Sequence, residues 1–225
     1  MYHILVVIRN RLIALLGRIT ILVGLFVVAY FYLLNGPAWA YLLQFETECA
    51  IIYMVILTFV IIFNAIDLRR GIHGIAAGPV MPISLMIVSF CFISNIGYFV
   101  YTLPAGAAPS SLDSIIFHAF FLALPVLEWL LFDIKGTVRW YSAFSAMIYP
   151  ILYVIFCGFR SLIWPNAVLP NGSMYPYPYL EPAWGPFVGW AILTFLLVYG
   201  VNVLFIFLNN LLSGKYRFGN EINPF

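Results

Sequence analysis

The stretch Pro186 to Leu211 reads PFVGWAILTFLLVYGVNVLFIFLNNL and contains no charged residue. A helix that crosses a membrane needs about 20 mostly apolar residues, so this stretch is long enough to be one span. Comparable runs occupy roughly 12–34, 45–66, 80–102, 114–133 and 141–163. Helix breakers separate them: Asn35-Gly36-Pro37, Gly71 to Pro79, Pro104 to Ser111, Lys135-Gly136 and the longer Trp164 to Pro186. The spacing predicts six spans and leaves no room for a soluble domain.

Composition supports the same reading. Hydrophobic residues make up 64% of the chain and charged residues 8%, where a soluble domain carries about 25% charge. In lipid a chain must satisfy its own backbone hydrogen bonds, which leaves helices or a closed barrel. Barrel strands alternate polar and apolar residues over about ten positions, whereas these runs are continuous. The expected fold is therefore all-α, a polytopic bundle of six transmembrane helices with residues 1–225 as one domain. A net charge of +2 offers nothing to nucleic acid. Cys49, Cys91 and Cys157 are far apart in apolar runs and read as small buried residues, not as metal ligands or a disulfide framework. No cofactor is expected.

Arg9, Arg11 and Arg18 precede the first apolar run, and Ala38-Trp39-Ala40 follows it, which imitates a cleavable signal peptide. Five further spans follow, and the run reads as a retained helix. Six spans place the N-terminal arginines, Arg69 and Arg70, Lys135 and Arg139, and Lys215 and Arg217 on one side. Basic loops stay in the cytoplasm, so both termini are expected inside. Arg160 falls near the outer end of the fifth span.

Ionisable groups inside spans usually face the bundle interior or a wet cavity. Several share one outer layer. Thr47, between Glu46 and Glu48, starts the second span. His118 lies about four residues into the fourth, roughly 6 Å deep at 1.5 Å per residue. Arg160, Tyr175, Tyr177 and Glu181 approach the same end. Tyr149, Tyr153 and Arg160 form one helical stripe, as do Asn95, Tyr98 and Thr102, and so do His118, Pro125 and Trp129, with Glu128 to one side. Polar stripes of this kind commonly glue helices together, and the tyrosines, Asn95, Asn202 and Asn209 read that way. His118 reads either as a satisfied buried histidine or as a proton-transfer group. Thr47 reads as a helix cap or a nucleophile. Arg160 is expected to pair with Glu46, Glu48 or Glu181. The alternating prolines of Tyr175-Pro176-Tyr177-Pro178-Tyr179-Leu180-Glu181-Pro182 forbid a helix, and the segment should lie extended as an aromatic belt or a lid.

His118, the run Leu124-Pro125-Val126-Leu127-Glu128-Trp129-Leu130-Leu131-Phe132, then Tyr149-Pro150-Ile151-Leu152-Tyr153 and the Tyr175 to Glu181 segment also carry a resemblance. They resemble an uncharacterised bacterial family of six-span integral membrane proteins. The stretch Tyr177 to Asn210, with Gly185-Pro186 and Asn209-Asn210, is similar to the eukaryotic androgen-induced-gene proteins. Those are intramembrane threonine hydrolases that cleave fatty-acid esters of hydroxy fatty acids. The resemblance covers spans two to six, most clearly residues 114–210. It implies a multi-pass protein of the cell membrane, the inner membrane in a bacterium, acting on membrane lipids or a lipid-like substrate. It further implies Thr47 as nucleophile and His118 as its base, with Tyr153, Arg160, Tyr175, Tyr177 and Glu181 around the substrate. The family places an aromatic directly before the threonine. Here Glu46 intervenes after Phe45, so an alignment on Phe45 puts Glu46 in that position. The alternative is a non-catalytic membrane protein that binds lipid, transports, or serves in an assembly.

Overall fold

The computed structural model describes residues 8, 10–73, 81–104, 111–164, 166, 168–169, 171–177, 180–181 and 186–213. His3, Arg9, Pro178, Tyr179, Pro182, Gly185, Lys215 and Arg217 lie outside the described residues, as does most of the Pro104 to Ser111 loop. The elements are α1 (Arg11–Leu34), α2 (Ala38–Tyr41), α3 (Phe45–Arg69), α4 (Met81–Gly97), a π-helical turn (Tyr98–Thr102), α5 (Leu112–Phe132), α6 (Ser142–Ala146), α7 (Ile148–Ile163) and α8 (Phe187–Leu211). No strand occurs among the described residues. Among the described residues, six helical stretches are long and apolar enough to cross a membrane, with α6 and α7 together forming the fifth, Ser142–Ile163. The chain is built as a multi-pass integral membrane protein.

Local chemistry sets several boundaries. Asn10 caps α1 by accepting from the amides of Leu12 and Ile13 at 3.0 and 3.2 Å. Ser111 caps α5 by accepting from the Ser114 amide at 3.4 Å. Glu46 and Glu48 sit in the first turn of α3, where the helix dipole favours negative charge. Pro150 falls in the first turn of α7, where its missing N–H costs nothing. Pro125 instead lies inside α5 and removes one helical hydrogen bond.

Neighbouring spans run antiparallel. The start of α1 meets the end of α3 through Arg11 and Asp67 at 2.6 Å. Its other end meets the start of α5, where Asn35 donates to Asp113 at 2.7 Å. We call the end bearing Arg11, Arg69, Arg70 and Arg139 the basic end and the other the far end. The third span is the central one: 50% of Pro82–Val100 is buried, against 22% of the first and last spans. Val88, Phe90 and Cys91 of α4 form the middle of the core with Cys49, Tyr53, Phe117 and Phe121. All three cysteines are buried and free. Outward faces carry exposed Leu16, Val23, Phe26, Phe59, Leu196 and Leu197, as a lipid-facing surface requires.

Candidate functional site

Thr47 is buried in the first turn of α3, and its hydroxyl has no hydrogen-bond partner among the described residues. Two other helical threonines bond back one turn: Thr20 donates to the Leu16 carbonyl at 3.0 Å and Thr58 to the Met54 carbonyl at 2.8 Å. Thr47 has no helical turn before it. The corresponding carbonyl, of Leu43, accepts from the Tyr153 hydroxyl at 2.8 Å. Nor does Thr47 cap the helix, since Gln44 holds that position. Its side chain lines a cavity of about 320 Å³ between α1, α3 and α5, with Phe26, Ala29, Tyr30, Leu33, Ala50, Ile51, Met54 and Phe117. Phe26, Tyr30 and Ile51 are exposed, so the cavity opens toward the lipid-facing side.

Glu46, the neighbouring candidate, faces elsewhere. Its carboxylate accepts from the Tyr177 hydroxyl, which in turn accepts from the Phe45 amide at 3.0 Å. Glu48 accepts from the Tyr149 hydroxyl at 2.7 Å. Two of the three acidic groups expected near Arg160 are thus engaged by tyrosines, and the Arg160 guanidinium donates to the Met174 carbonyl. Tyr175 and Ser161 share a hydrogen bond at 2.9 Å. Glu181 accepts from Ser173 at 3.4 Å. Tyr153, Cys157, Tyr175 and Leu180 form a small cluster of their own. The structure therefore gathers Tyr153, Arg160, Tyr175, Tyr177 and Glu181 at the far end, where residues 171–177 form a strap over α7 and the start of α3.

His118 occupies a third environment. It is 2% exposed, with its ring stacked on Tyr98 at 3.7 Å and 12°. Tyr32 meets it edge-on at 6.1 Å and Phe117 at 5.2 Å. Its Nδ1 lies 2.8 Å from Asn95 Oδ1. Thr47 and His118 are not hydrogen-bonded in this arrangement. Phe117 lies beside both, lining the Thr47 cavity and touching the imidazole.

No family model, curated protein or solved structure matches this chain. Its chemistry is therefore argued from its own residues.

The basic end holds a cluster that the outer-layer argument missed. Arg18, 0% exposed, donates through Nε to Glu128 at 2.5 Å and through Nη2 to Asp133 at 2.6 Å. The Tyr53 hydroxyl approaches Glu128 at 3.5 Å. Lys135 donates to the carbonyls of Trp129 and Asp133 and lies 4.7 Å above the Trp129 ring. Trp129 Nε1 donates to Asn209 at 3.3 Å. Burial raises the Asp133 carboxyl, with Glu128 adding to the rise and Arg18 opposing it. Burial likewise lowers the Lys135 ammonium, against the pull of Asp133 and Glu128. A signal was present in the sequence. Arg18 and Glu128 are charges of opposite sign inside apolar runs, and such groups need partners.

Proposed function

We propose that the protein binds lipid within the membrane, taking an acyl chain into the α1–α3–α5 cavity with the Thr47 hydroxyl as its polar end. One observation carries this reading: Thr47, 2% exposed and with no partner for its hydroxyl among the described residues, lines an otherwise apolar cavity that opens on a lipid-facing surface. A buried hydroxyl without a partner costs free energy, and an ester or carboxyl oxygen at that position would offset it. The volume falls at the lower end of the range for small-ligand pockets. Equilibrium binding of a fluorescent long-chain fatty-acid ester to detergent-solubilised protein tests the assignment. Ile51→Trp at the mouth should weaken binding strongly, and Thr47→Val should weaken it by about two- to tenfold, one hydrogen bond. Binding that neither substitution alters would place the lipid elsewhere.

A second reading, hydrolysis of a fatty-acid ester, is favoured by the hydrogen bond between His118 and Asn95 and by the resemblance in residues 114–210. Thr47 would attack and His118 would accept its proton, since a threonine hydroxyl needs an adjacent base. That requires the two to come within about 2.6–3.2 Å, directly or through one water, by movement of α3 against α5. Wild-type turnover of a long-chain ester, lost in both Thr47→Ala and His118→Ala and no worse in the double variant, would support it. Absence of turnover at every chain length would leave lipid binding alone. The distribution of basic residues supports cytoplasmic termini. Asn171→Cys should then react with an impermeant thiol reagent added outside sealed cells, and Gly214→Cys should not.

A further inference from the structure

We infer that Asn95 is a positioning residue that holds His118 as the Nδ1–H tautomer and so leaves Nε2 as the ring's hydrogen-bond acceptor. The argument starts with the amide. Asn95 Nδ2 donates to the Cys91 carbonyl at 2.7 Å, one helical turn back. Rotating the amide by half a turn would set two acceptor oxygens against each other. Oδ1 therefore faces His118, at 2.8 Å from Nδ1. A carbonyl oxygen only accepts, so Nδ1 carries the hydrogen, and a neutral imidazole then has a bare lone pair on Nε2. Asn95 is 0% exposed, and water does not compete for this bond.

The ring plane is set separately. Tyr98 stacks on the imidazole, and Tyr98 opens the π-helical turn Tyr98–Thr102. Such turns are rare and occur frequently at functional sites. Asn95 thus sets how the ring points within its plane and Tyr98 sets the plane. A histidine serving only as helix glue needs the first constraint and not the second.

The use of Nε2 as a general base rests on the hydrolase reading; the tautomer does not. The chain has three histidines, so the His118 signals in ¹⁵N-histidine-labelled protein are assigned by their loss in His118→Gln. Wild type should show a protonated Nδ1 and an unprotonated Nε2. Asn95→Leu should shift His118 toward a tautomer mixture, and Asn95→Asp, which keeps the acceptor, should restore Nδ1–H. An Nε2–H tautomer in wild type, or an unchanged spectrum in Asn95→Leu, overturns the inference. Where an ester is turned over, Asn95→Leu should lower kcat by about tenfold or more at unchanged KM, part of what a positioned base contributes, and Asn95→Asp should recover it. If no ester is turned over, the hydrolase reading fails while the tautomer spectrum still decides the role of Asn95.

Discussion

At the basic end, Arg18, Glu128, Asp133 and Lys135 meet sealed from solvent, with Arg18 bridging two carboxyl groups. At the far end, Glu46 and Glu48 are matched by tyrosine hydroxyls and Arg160 by a backbone carbonyl, while Thr47 is matched by nothing among the described residues. The first arrangement pairs opposite charges from α1, α5 and the turn after α5, although Arg18 Nη1 and Asp133 Oδ2 have no hydrogen-bond partner among the described residues. It ties α1 to α5 and to the turn after it. The second spends its acidic groups on holding a strap in place, and it leaves Thr47, which lines a cavity, without a hydroxyl partner among the described residues. Buried ion clusters suit architecture because removing one member strands the others. Unpartnered neutral groups suit ligand contact because an incoming atom can complete them.

The sharpest way to break this contrast is at Arg18. Arg18→Ala strands Glu128 and Asp133 and should cost about 3–5 kcal/mol, read as a large fall in melting temperature in detergent or as loss of folded protein. Replacing Arg18, Glu128 and Asp133 together by apolar residues of similar volume should recover most of it. A single variant as stable as wild type would remove the architectural role. Next in size is Gly17. A Cβ built there lies 2.5 Å from the Phe132 ring, so Gly17→Leu should cost about 1–3 kcal/mol by overpacking. Gly24, with nothing within 4 Å of its Cβ, is the control that should show no such loss.

Tyr177→Phe removes the hydroxyl that serves both Glu46 and the Phe45 amide and should cost about 1–2 kcal/mol. Proteolysis in the 169–181 segment should rise with it, and an unchanged cleavage pattern would show that the strap is held by other contacts. Smaller again is a pH effect at Asp133. Its carboxyl is raised in the folded state, so its contribution is full below the unfolded value near 4 and fades as pH rises through about 7. Wild type should lose stability over that window on this account, and Asp133→Asn should lack that slope. The smallest effect is expected at Thr47. Thr47→Val removes a hydroxyl with no partner and should leave the melting temperature unchanged or slightly raised, while lowering lipid binding. A clear loss of stability would show that the hydroxyl is structural after all.

Much of the fold was legible residue by residue. The expected runs 45–66 and 186–211 correspond to Phe45–Arg69 and Phe187–Leu211, because charge and length alone mark such spans. The run 80–102 was seen as a length, but its division into α4 and a π-helical turn was not, since one shifted hydrogen-bond register leaves no trace in hydropathy. The outer layer was legible as a depth. It proved to be three environments at the far end: the strap, the Thr47 cavity and the aromatic setting of His118. Glu46 and Thr47 are adjacent in sequence and serve different ones, because successive helical residues point about 100° apart.

The sequence by itself determined that this is an all-helical chain with six stretches able to cross a membrane. That property adds up locally, each apolar residue contributing to the span whatever its neighbours do. Only the tertiary structure decided that Arg18 reaches Glu128 and Asp133 across 110 and 115 residues, that Asn95 meets His118, and that Thr47 meets a cavity and not a base. Those outcomes depend on how one helix is rotated and shifted against another, and that choice is made by packing and polar pairing summed over the whole bundle.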